Sequence, residues 1–320
     1  MLSIFCFSVN AATATWVGPA TGGDWYSAAN WSTSAIPTAA DSVSIPAGFT
    51  VTASDDEGTI NRLSVGGKLI ITTSGTLIVN QTDSPNGSGI VALEGGEIEN
   101  NGVFSVINSV TTSSNTVIQF ADNADRDNLF TNNGIFSLDN TLGAYASTTG
   151  RGIGLDMVSP GRVSTFKFGG TMDFKIKTGC CLIETNGGGN LTLDGTLVLG
   201  STNNYKDLRF IKILQGGSVK VAATANITVY SGFTNSSNGV INLQSATTTL
   251  PGSSFTNEGV VKIYSGAATT AYGLYFNAQG VAAINTLNNS GSLSFYGNYP
   301  KGAFYLGGNV AGANSIMSPL

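Results

Sequence analysis

Apolar and polar residues alternate in short stretches of this chain, and each clear stretch follows a glycine that comes shortly after Asn or Ser. Counted from the glycine, the second and fourth following residues are apolar and the third is polar. An alternation of period two predicts a β-strand with one buried face, and the residues before it predict a turn. The clearest copies are NNGVFSV (100–106), TNNGIFSLD (131–139), SNGVINLQ (237–244), TNEGVVKIY (256–264) and NNSGSLSFY (288–296).

The spacing of these glycines predicts a repeat. Glycines at 195, 217, 239 and 259 follow one another at a nearly constant step, and two other pairs (102 and 134, 259 and 291) are further apart. The shorter step of about 20–22 residues is too small for a strand–helix–strand crossover, which takes about 30 residues. We therefore predict an all-β chain that forms a right-handed parallel β-helix, or β-solenoid, of about twelve turns stacked about 4.8 Å apart. Asparagines before the glycines are expected to stack into an amide ladder.

Two other all-β architectures remain open at this point. A pair of β-sandwiches or an up-and-down barrel also consists of short strands that recur every 8–12 residues or so. The long step between glycines favours the solenoid, because sandwiches have no fixed long period.

The segment 15–60 differs from the repeats that we expect over 61–320. It holds all three tryptophans, Trp16, Trp25 and Trp31. The end of a solenoid needs a dissimilar segment over its open core and unpaired strands, so we predict a Trp-rich N-terminal cap. The alternative is an exposed surface on which sugars stack.

The first residues predict export. Residues 2–9 are apolar but too few to span a bilayer, and small residues follow at 11–14. We expect a signal peptide over 1–14 and a secreted or cell-surface protein. No later stretch approaches the length of apolar chain that a bilayer requires, so no membrane-spanning segment is predicted in the mature chain.

Composition removes several classes of function. Glycine supplies 42 of 320 residues, only 10% of residues are charged, and the net charge is −5. Scattered basic residues on an acidic chain make nucleic acid an unexpected partner. The absence of histidine removes the commonest general base and the commonest zinc ligand. The chain also lacks a phosphate-binding loop, a dinucleotide fingerprint and a nucleophile elbow.

The densest acidic loop lies at 122–128. Carboxylates and amides at short spacing could bind calcium through oxygen atoms, which makes Asp122, Asp125 and Asp127 the candidate metal ligands. The loop lacks the glycine and the distal glutamate of an EF-hand, so a solvated loop is the alternative. Calcium is the one candidate cofactor that the sequence suggests.

Charged residues are also concentrated at 151–177 and 205–212. A β-helix enzyme that acts on polysaccharide would gather such charges from several turns into one groove, whereas an adhesive protein would disperse them. No pair of carboxylates at a recognisable spacing argues for glycosidase chemistry, and we assign no catalytic residue.

The entry segment and the strands after it resemble bacterial secreted and cell-surface β-helix proteins, which include autotransporter passenger-like repeats and large repetitive surface proteins of Bacteroidetes. The resemblance implies export, a β-helix and exposure at the cell surface, often at the outer membrane and with an adhesive role. It transfers no catalytic residue. Such relatives continue into a membrane or sorting domain, whereas this sequence stops at ANSIMSPL, so we expect a truncated frame. The matching elements are Trp16-Val17-Gly18, Gly23-Asp24-Trp25, Ala28-Ala29-Asn30-Trp31, Pro37, Asp41-Ser42-Val43 and Ile45-Pro46.

The sequence thus leads to two hypotheses. The first is a non-catalytic structural or adhesive β-helix module that meets polysaccharide or the surface of a host or neighbouring cell. The second is a β-helix protein that binds or degrades polysaccharide.

Overall fold

The protein is built from β-strands. The part of the chain described by the computed structural model has 28 strands, one short 3-10 turn at Ala28–Asn30 and no α-helix. The all-β prediction is confirmed. The described residues are 12–83, 90–110, 117–120, 126–140, 153–157, 163–168, 171–176, 181–185, 190–199, 209–213, 218–231, 239–245, 254–265, 272–278, 286–296 and 304–308.

Sheet A has eleven strands in the described residues, and every neighbouring pair is parallel. In order across the sheet they are β1 (Thr13–Thr15), β2 (Ser42–Ile45), β5 (Arg62–Val65), β8 (Val91–Leu93), β11 (Ile118–Phe120), β14 (Ile153–Met157), β17 (Cys181–Thr185), β19 (Arg209–Ile213), β22 (Gly239–Ser245), β25 (Tyr272–Ala278) and β28 (Phe304–Gly308).

Two further sheets are also parallel throughout. Sheet B consists of β4 (Asp56–Ile60), β7 (Thr76–Gln81), β10 (Val103–Asn108), β13 (Ile135–Asn140) and β16 (Thr171–Ile176). Sheet C consists of β3 (Thr50–Ala53), β6 (Lys68–Ile71), β9 (Glu97–Asn100), β12 (Asn128–Asn132), β15 (Val163–Phe168), β18 (Asn190–Leu199), β20 (Ser218–Val221), β23 (Ser254–Asn257) and β26 (Thr286–Asn289).

Strand β18 belongs to two ladders. Its first half pairs within sheet C, and its residues 196–199 pair with β21 (Asn226–Ser231). The ladder that starts there, ladder D, continues through β24 (Val260–Ser265) to β27 (Ser292–Tyr296).

From β2 to β16 the chain visits sheets A, C and B in turn, so that each strand pairs with the strand three places further along. This order accounts for parallel pairing between strands that are far apart in sequence. Among the described residues the one antiparallel contact is an isolated bridge between Trp16 and Trp31. Hairpin-based sandwiches and barrels are built from antiparallel neighbours, and the described ladders do not follow that pattern.

The short step predicted from the glycines holds for the first strands, where Ser42 pairs with Arg62 and Asp56 pairs with Thr76, but the glycines from 195 to 259 do not follow it. Gly195 directly precedes the half of β18 that starts ladder D, Gly259 directly precedes β24 two strands further along that ladder, and Gly239 opens a strand of sheet A. These glycines do not mark successive turns of one repeat, because Gly195 and Gly259 are two strands apart in one ladder and Gly239 lies in another. The residues that do pair belong to the more widely spaced copies of the pattern, since Phe104 pairs with Phe136 and Val261 pairs with Leu293.

The inward face of each strand is apolar, as the alternation predicts. Phe104 and Phe136 are fully buried and stack with their ring centroids 5.5 Å apart. Rings from the other two sheets meet them, because Phe166 of sheet C lies 6.2 Å from Phe136 and 5.7 Å from Phe120 of sheet A. The three sheets thus enclose one core, and aromatic pairs in this range of distances add to the energy of area burial.

Buried asparagines stack at the turn between sheets C and B. Asn100 donates from Nδ2 to Oδ1 of Asn132 (2.6 Å) and to the Ile135 carbonyl (2.9 Å), and its Oδ1 accepts the Gly102 N–H (3.2 Å). The predicted amide ladder is confirmed. It satisfies backbone groups that the turn would otherwise leave unpaired in the core.

The same arrangement occurs a second time, between sheet C and ladder D. Asn257 donates to Oδ1 of Asn289 (2.7 Å) and to the Ser292 carbonyl (3.0 Å), and it accepts the Gly259 N–H (3.2 Å). The two sites share their geometry and the same separation in sequence between the paired asparagines.

Replacing Asn100 with Ala should destabilise the protein by about 2 kcal/mol, because the Gly102 N–H and the Ile135 carbonyl lose a buried partner. The free energy of unfolding in urea measures this. The matched control is Asn101→Ala, since Asn101 contacts Asn133 on the exposed side of the same turn (2.9 Å). Equal losses in the two variants would show that the buried ladder adds nothing.

The N-terminal segment covers the first strand of each sheet. Strand β1 pairs with β2 of sheet A, and residues 23 and 25 exchange backbone hydrogen bonds with Thr52 of sheet C (2.9 and 3.0 Å). The Tyr26 hydroxyl donates to the carbonyl of Asp56, the first residue of β4. Strands β2, β3 and β4 lie within 15–60, so the sheets begin before the boundary predicted at residue 61.

Candidate functional site

The three tryptophans lie inside the protein. Trp16, Trp25 and Trp31 are at most 1% exposed, and Trp31 contacts the other two edge to face at 5.0 and 4.8 Å. The Trp31 indole N–H donates to the Trp25 carbonyl (2.8 Å). The alternative of a sugar-stacking surface formed by these rings is therefore wrong, because no ring face is open to a ligand.

The predicted calcium loop is only partly described. Asp122 and Asp125 lie outside the described residues, and Asp127 lies just before β12 beside Arg126. Within the described residues no three acidic or cysteine side chains come together as a metal site. The calcium site stays a prediction. In the same part of the chain no helix has the length and apolar character needed to cross a membrane.

A cleft of about 380 Å³ lies where the turns between sheets A and C stack. Five glycines, 48, 66, 67, 95 and 96, line it together with charged residues. Lys68 contacts Oε1 of Glu97 at 2.9 Å and Oε2 of Glu99 at 3.0 Å. Arg126 donates from Nη1 to the Gly66 carbonyl (2.8 Å). Of the predicted metal ligands, Asp127 lies at this cleft.

The ion pairs beside the cleft shift two pKa values. Hydrogen bonds from Asn101 first and from Lys68 second lower the pKa of Glu99 below its ordinary value of 4.5. The hydrogen bond to Glu97, followed by that to Glu99, raises the pKa of Lys68 above 10.5 although burial opposes it. About a third of each side chain is exposed, so water screens the interaction and its energy is small.

These shifts predict how stability depends on pH. The depressed pKa of Glu99 contributes stability above pH 4.5 that is lost as the pH falls through the folded-state pKa. The raised pKa of Lys68 contributes stability below pH 10.5 that is lost as the pH rises through its folded-state value. Glu99→Gln should therefore reduce the difference between the urea midpoints at pH 7 and pH 3. The control is Thr131→Ser, because Thr131 pairs with Glu99 on the adjacent strand. If Glu99→Gln leaves the difference between the two urea midpoints unchanged, Glu99 does not contribute to the pH dependence of stability.

The described charged residues of the stretch 151–177 lie in different sheets, whereas Arg151, Arg162 and Lys177 lie outside the described residues. Asp156 lies in sheet A, Lys167 in sheet C, and Asp173 and Lys175 in sheet B. The chain therefore distributes these charges over three sheets. Lys212, from the second charged stretch, lies in sheet A with Asp156.

One row of sheet A does gather polar residues from successive strands. No pattern in the sequence predicts this row, because its members are unevenly spaced along the chain and only the register aligns them. Ile118, one residue before Gln119, is buried and pairs with buried Val91. The polar row consists of Gln119, Asp156, Glu184, Lys212, Asn242, Tyr275 and Tyr305.

No protein-family model, curated protein or solved structure matches this chain.

Proposed function

We propose that the chain is a right-handed parallel β-helix with a Trp-rich N-terminal cap. In this arrangement one coil comprises one strand of each of the three sheets. The proposal is supported by the repeated order A, C, B along the chain, by parallel pairing between successive coils and by the core that the three inward faces share. The hydrogen bonds of residues 23–26 to the first strands support the cap.

We further propose that this β-helix acts outside the cell as a structural or adhesive module, related in kind to the bacterial surface proteins that its entry segment resembles. The observation that carries the proposal is a polar row along sheet C. Each member is at least partly exposed, and every member except Leu129 is polar: Thr50, Lys68, Glu97, Leu129, Thr165, Thr192, Lys220, Thr256 and Asn288.

Such a surface suits adhesion better than catalysis. Hydroxyl and amide groups repeat at a strand spacing of about 4.8 Å and offer many equivalent weak contacts. The charges of this row are paired, as in Lys68 with Glu97 and Lys220 with Glu258 (2.8 Å). Paired charges on an exposed sheet face are a common surface feature and supply no acid or base by themselves.

The second candidate is a polysaccharide-degrading enzyme. The neighbouring positions of Asp156 and Glu184 in sheet A are the one observation that favours it, because glycoside hydrolysis generally uses two carboxylates.

One experiment separates the two candidates. Beads coated with the full chain are tested for adhesion to intact cells and to immobilised polysaccharides, and release of new sugar ends is measured in the same samples. An adhesive module retains the beads without new ends. Accumulation of new ends would establish the enzyme instead, and beads that adhere to nothing would overturn the adhesive function.

A further inference from the structure

The cleft at the stacked turns between sheets A and C spans four neighbouring strands. Phe49 directly precedes β3, and Asp127 directly precedes β12, which lies three strands further along sheet C. The two ends of the cleft are therefore about 14 Å apart, at about 4.8 Å per strand. Glycines line the cleft between these ends, at 66–67 and 95–96. Because glycine has no side chain, the space beside these turns stays open.

The stacking of the turns requires these glycines, so the open space is a fixed feature of the fold. A Cβ at Gly67 would lie 2.3 Å from the Phe49 carbonyl oxygen, and a Cβ at Gly96 would lie 2.1 Å from the Val65 carbonyl oxygen. Gly95 has a φ of 71°, a conformation that glycine adopts without strain.

Arg126 reaches along the cleft and keeps donors for a ligand. Its Nη1 donates to the carbonyl of Gly66 (2.8 Å), which follows β5, two strands before β11 in sheet A. This bond uses one of the five N–H donors of a guanidinium group. Among the described residues no carboxylate forms an ion pair with Arg126. Asp127 beside it is exposed, so donors and acceptors lie at the same end of the cleft.

The rest of the lining adds a second pair of charges and an aromatic ring. Lys68 and Glu97 line the cleft, and about a third of each side chain is exposed. Phe49 lines it as well and is partly buried against the core. An aromatic side chain offers a flat apolar surface to a ligand.

These features match an uncharged sugar. Sugar hydroxyl groups both donate and accept hydrogen bonds, and a pyranose ring has an apolar face. Two cations, Lys68 and Arg126, and two carboxylates, Glu97 and Asp127, balance one another in the lining, so the cleft favours neither a polyanion nor a polycation. The volume of about 380 Å³ lies near the lower end of the range for small-ligand sites, about 300–1,000 Å³. A ligand of the size of a disaccharide suits it.

We propose that this cleft binds a disaccharide unit of an uncharged glycan, with sugar hydroxyl groups on Arg126 and Asp127 and one sugar ring against Phe49. The inference rests on the proposed adhesive function and names its ligand class. The cleft shares four residues with the polar row of sheet C: Thr50, Lys68, Glu97 and Leu129. A bound glycan can therefore continue along that row.

The test measures binding of cellobiose, lactose and mannobiose to the full chain by NMR titration, with digalacturonate and the glucosamine dimer as the anionic and cationic comparisons. The variant Phe49→Leu/Arg126→Ala should weaken the Kd of the best neutral disaccharide at least tenfold. The matched control is Lys262→Ala/Tyr296→Leu, which replaces a basic and an aromatic residue of ladder D. Its Kd should be unchanged.

A second variant keeps the test independent of folding. Asp127→Asn changes one exposed side chain without changing its shape, and it should weaken the Kd severalfold because a charged acceptor binds hydroxyl groups more strongly than a neutral one. The urea midpoint of each variant is measured beside its Kd, which separates loss of binding from loss of folding.

Several results would overturn the inference. An unchanged Kd in folded Phe49→Leu/Arg126→Ala and in Asp127→Asn would place the sugar elsewhere and leave the adhesive function intact. The same holds if digalacturonate or the glucosamine dimer binds better than every neutral disaccharide, or if coated beads adhere to cells but no disaccharide binds. Absence of both bead adhesion and disaccharide binding would instead remove the proposed function itself.

Discussion

Phe136→Asp is expected to remove about 5 kcal/mol or more of the free energy of unfolding. Phe136 is fully buried and packs against Phe104 at 5.5 Å and Phe130 at 4.9 Å. The substitution removes these contacts and leaves a carboxylate without a partner in the core, a combination that belongs to the largest single-residue effects known. Because domains are generally stable by only about 5–15 kcal/mol, the variant should be largely unfolded in urea concentrations that leave the wild type native.

The neighbouring residue supplies the control. Ile135 is 51% exposed on the opposite face of the same strand, so Ile135→Asp should change stability by less than about 1 kcal/mol. If Phe136→Asp does not fold at all, Phe136→Ala keeps the test quantitative, with an expected loss of about 3–5 kcal/mol. Similar urea midpoints for Ile135→Asp and Phe136→Ala would contradict the inward face described above.

Gly134→Ala is expected to destabilise the protein by about 3 kcal/mol. A Cβ at this position would lie 2.1 Å from the Gly102 carbonyl oxygen and 2.7 Å from the Asn101 carbonyl carbon. That oxygen accepts the Ile135 N–H (2.7 Å), so it cannot retreat without breaking the ladder between β10 and β13. Overpacking against fixed backbone is costly even for one methyl group.

Exposed Asn133, one residue earlier, provides the comparison. Asn133→Ala should cost a few tenths of a kcal/mol, because it removes one exposed hydrogen bond. Urea denaturation of both variants measures the difference. A Gly134→Ala variant as stable as Asn133→Ala would show that stacked turns do not require glycine here.

The parts of the fold that depend on local alternation are predictable from the sequence. Phe104, Phe136, Val261 and Ile263 are predicted inward from period two alone, and each is buried. The amide ladder is predictable for a related reason. An Asn recurs just before the glycine of each turn, so turns that stack on one another bring their asparagines into contact.

The length of the repeat depends on information that is not local. Turns in all the ladders use glycine, since each brings backbone close to backbone, as at Gly96, Gly134 and Gly291. A series of glycines therefore cannot tell one ladder from another, and the shorter steps join turns of different sheets. The longer step separates Asn100 from Asn132 and Asn257 from Asn289, whereas the first strands keep the short step, as in the pair Ser42 and Arg62.

The polar row of sheet A is beyond sequence analysis for the same reason. The stretch of chain from Gln119 to Asp156 is longer than the stretch from Asp156 to Glu184, although both pairs are neighbours in the sheet. Segments of different lengths lie between equivalent strands, so alignment of these residues follows only from the register of the sheet.

Deletion of one complete coil tests the β-helix most directly. Removing residues 102–133 takes out β10, β11 and β12, one strand from each sheet, and joins Asn101 to Gly134, which occupies the position equivalent to Gly102. Removing only residues 102–123, which matches the shorter glycine step, is the control and should abolish cooperative folding. We expect the whole-coil deletion to keep a β-type circular dichroism spectrum and a single thermal transition, in a particle about 4.8 Å shorter by X-ray scattering. A whole-coil deletion that unfolds like the shorter one would contradict the β-helix.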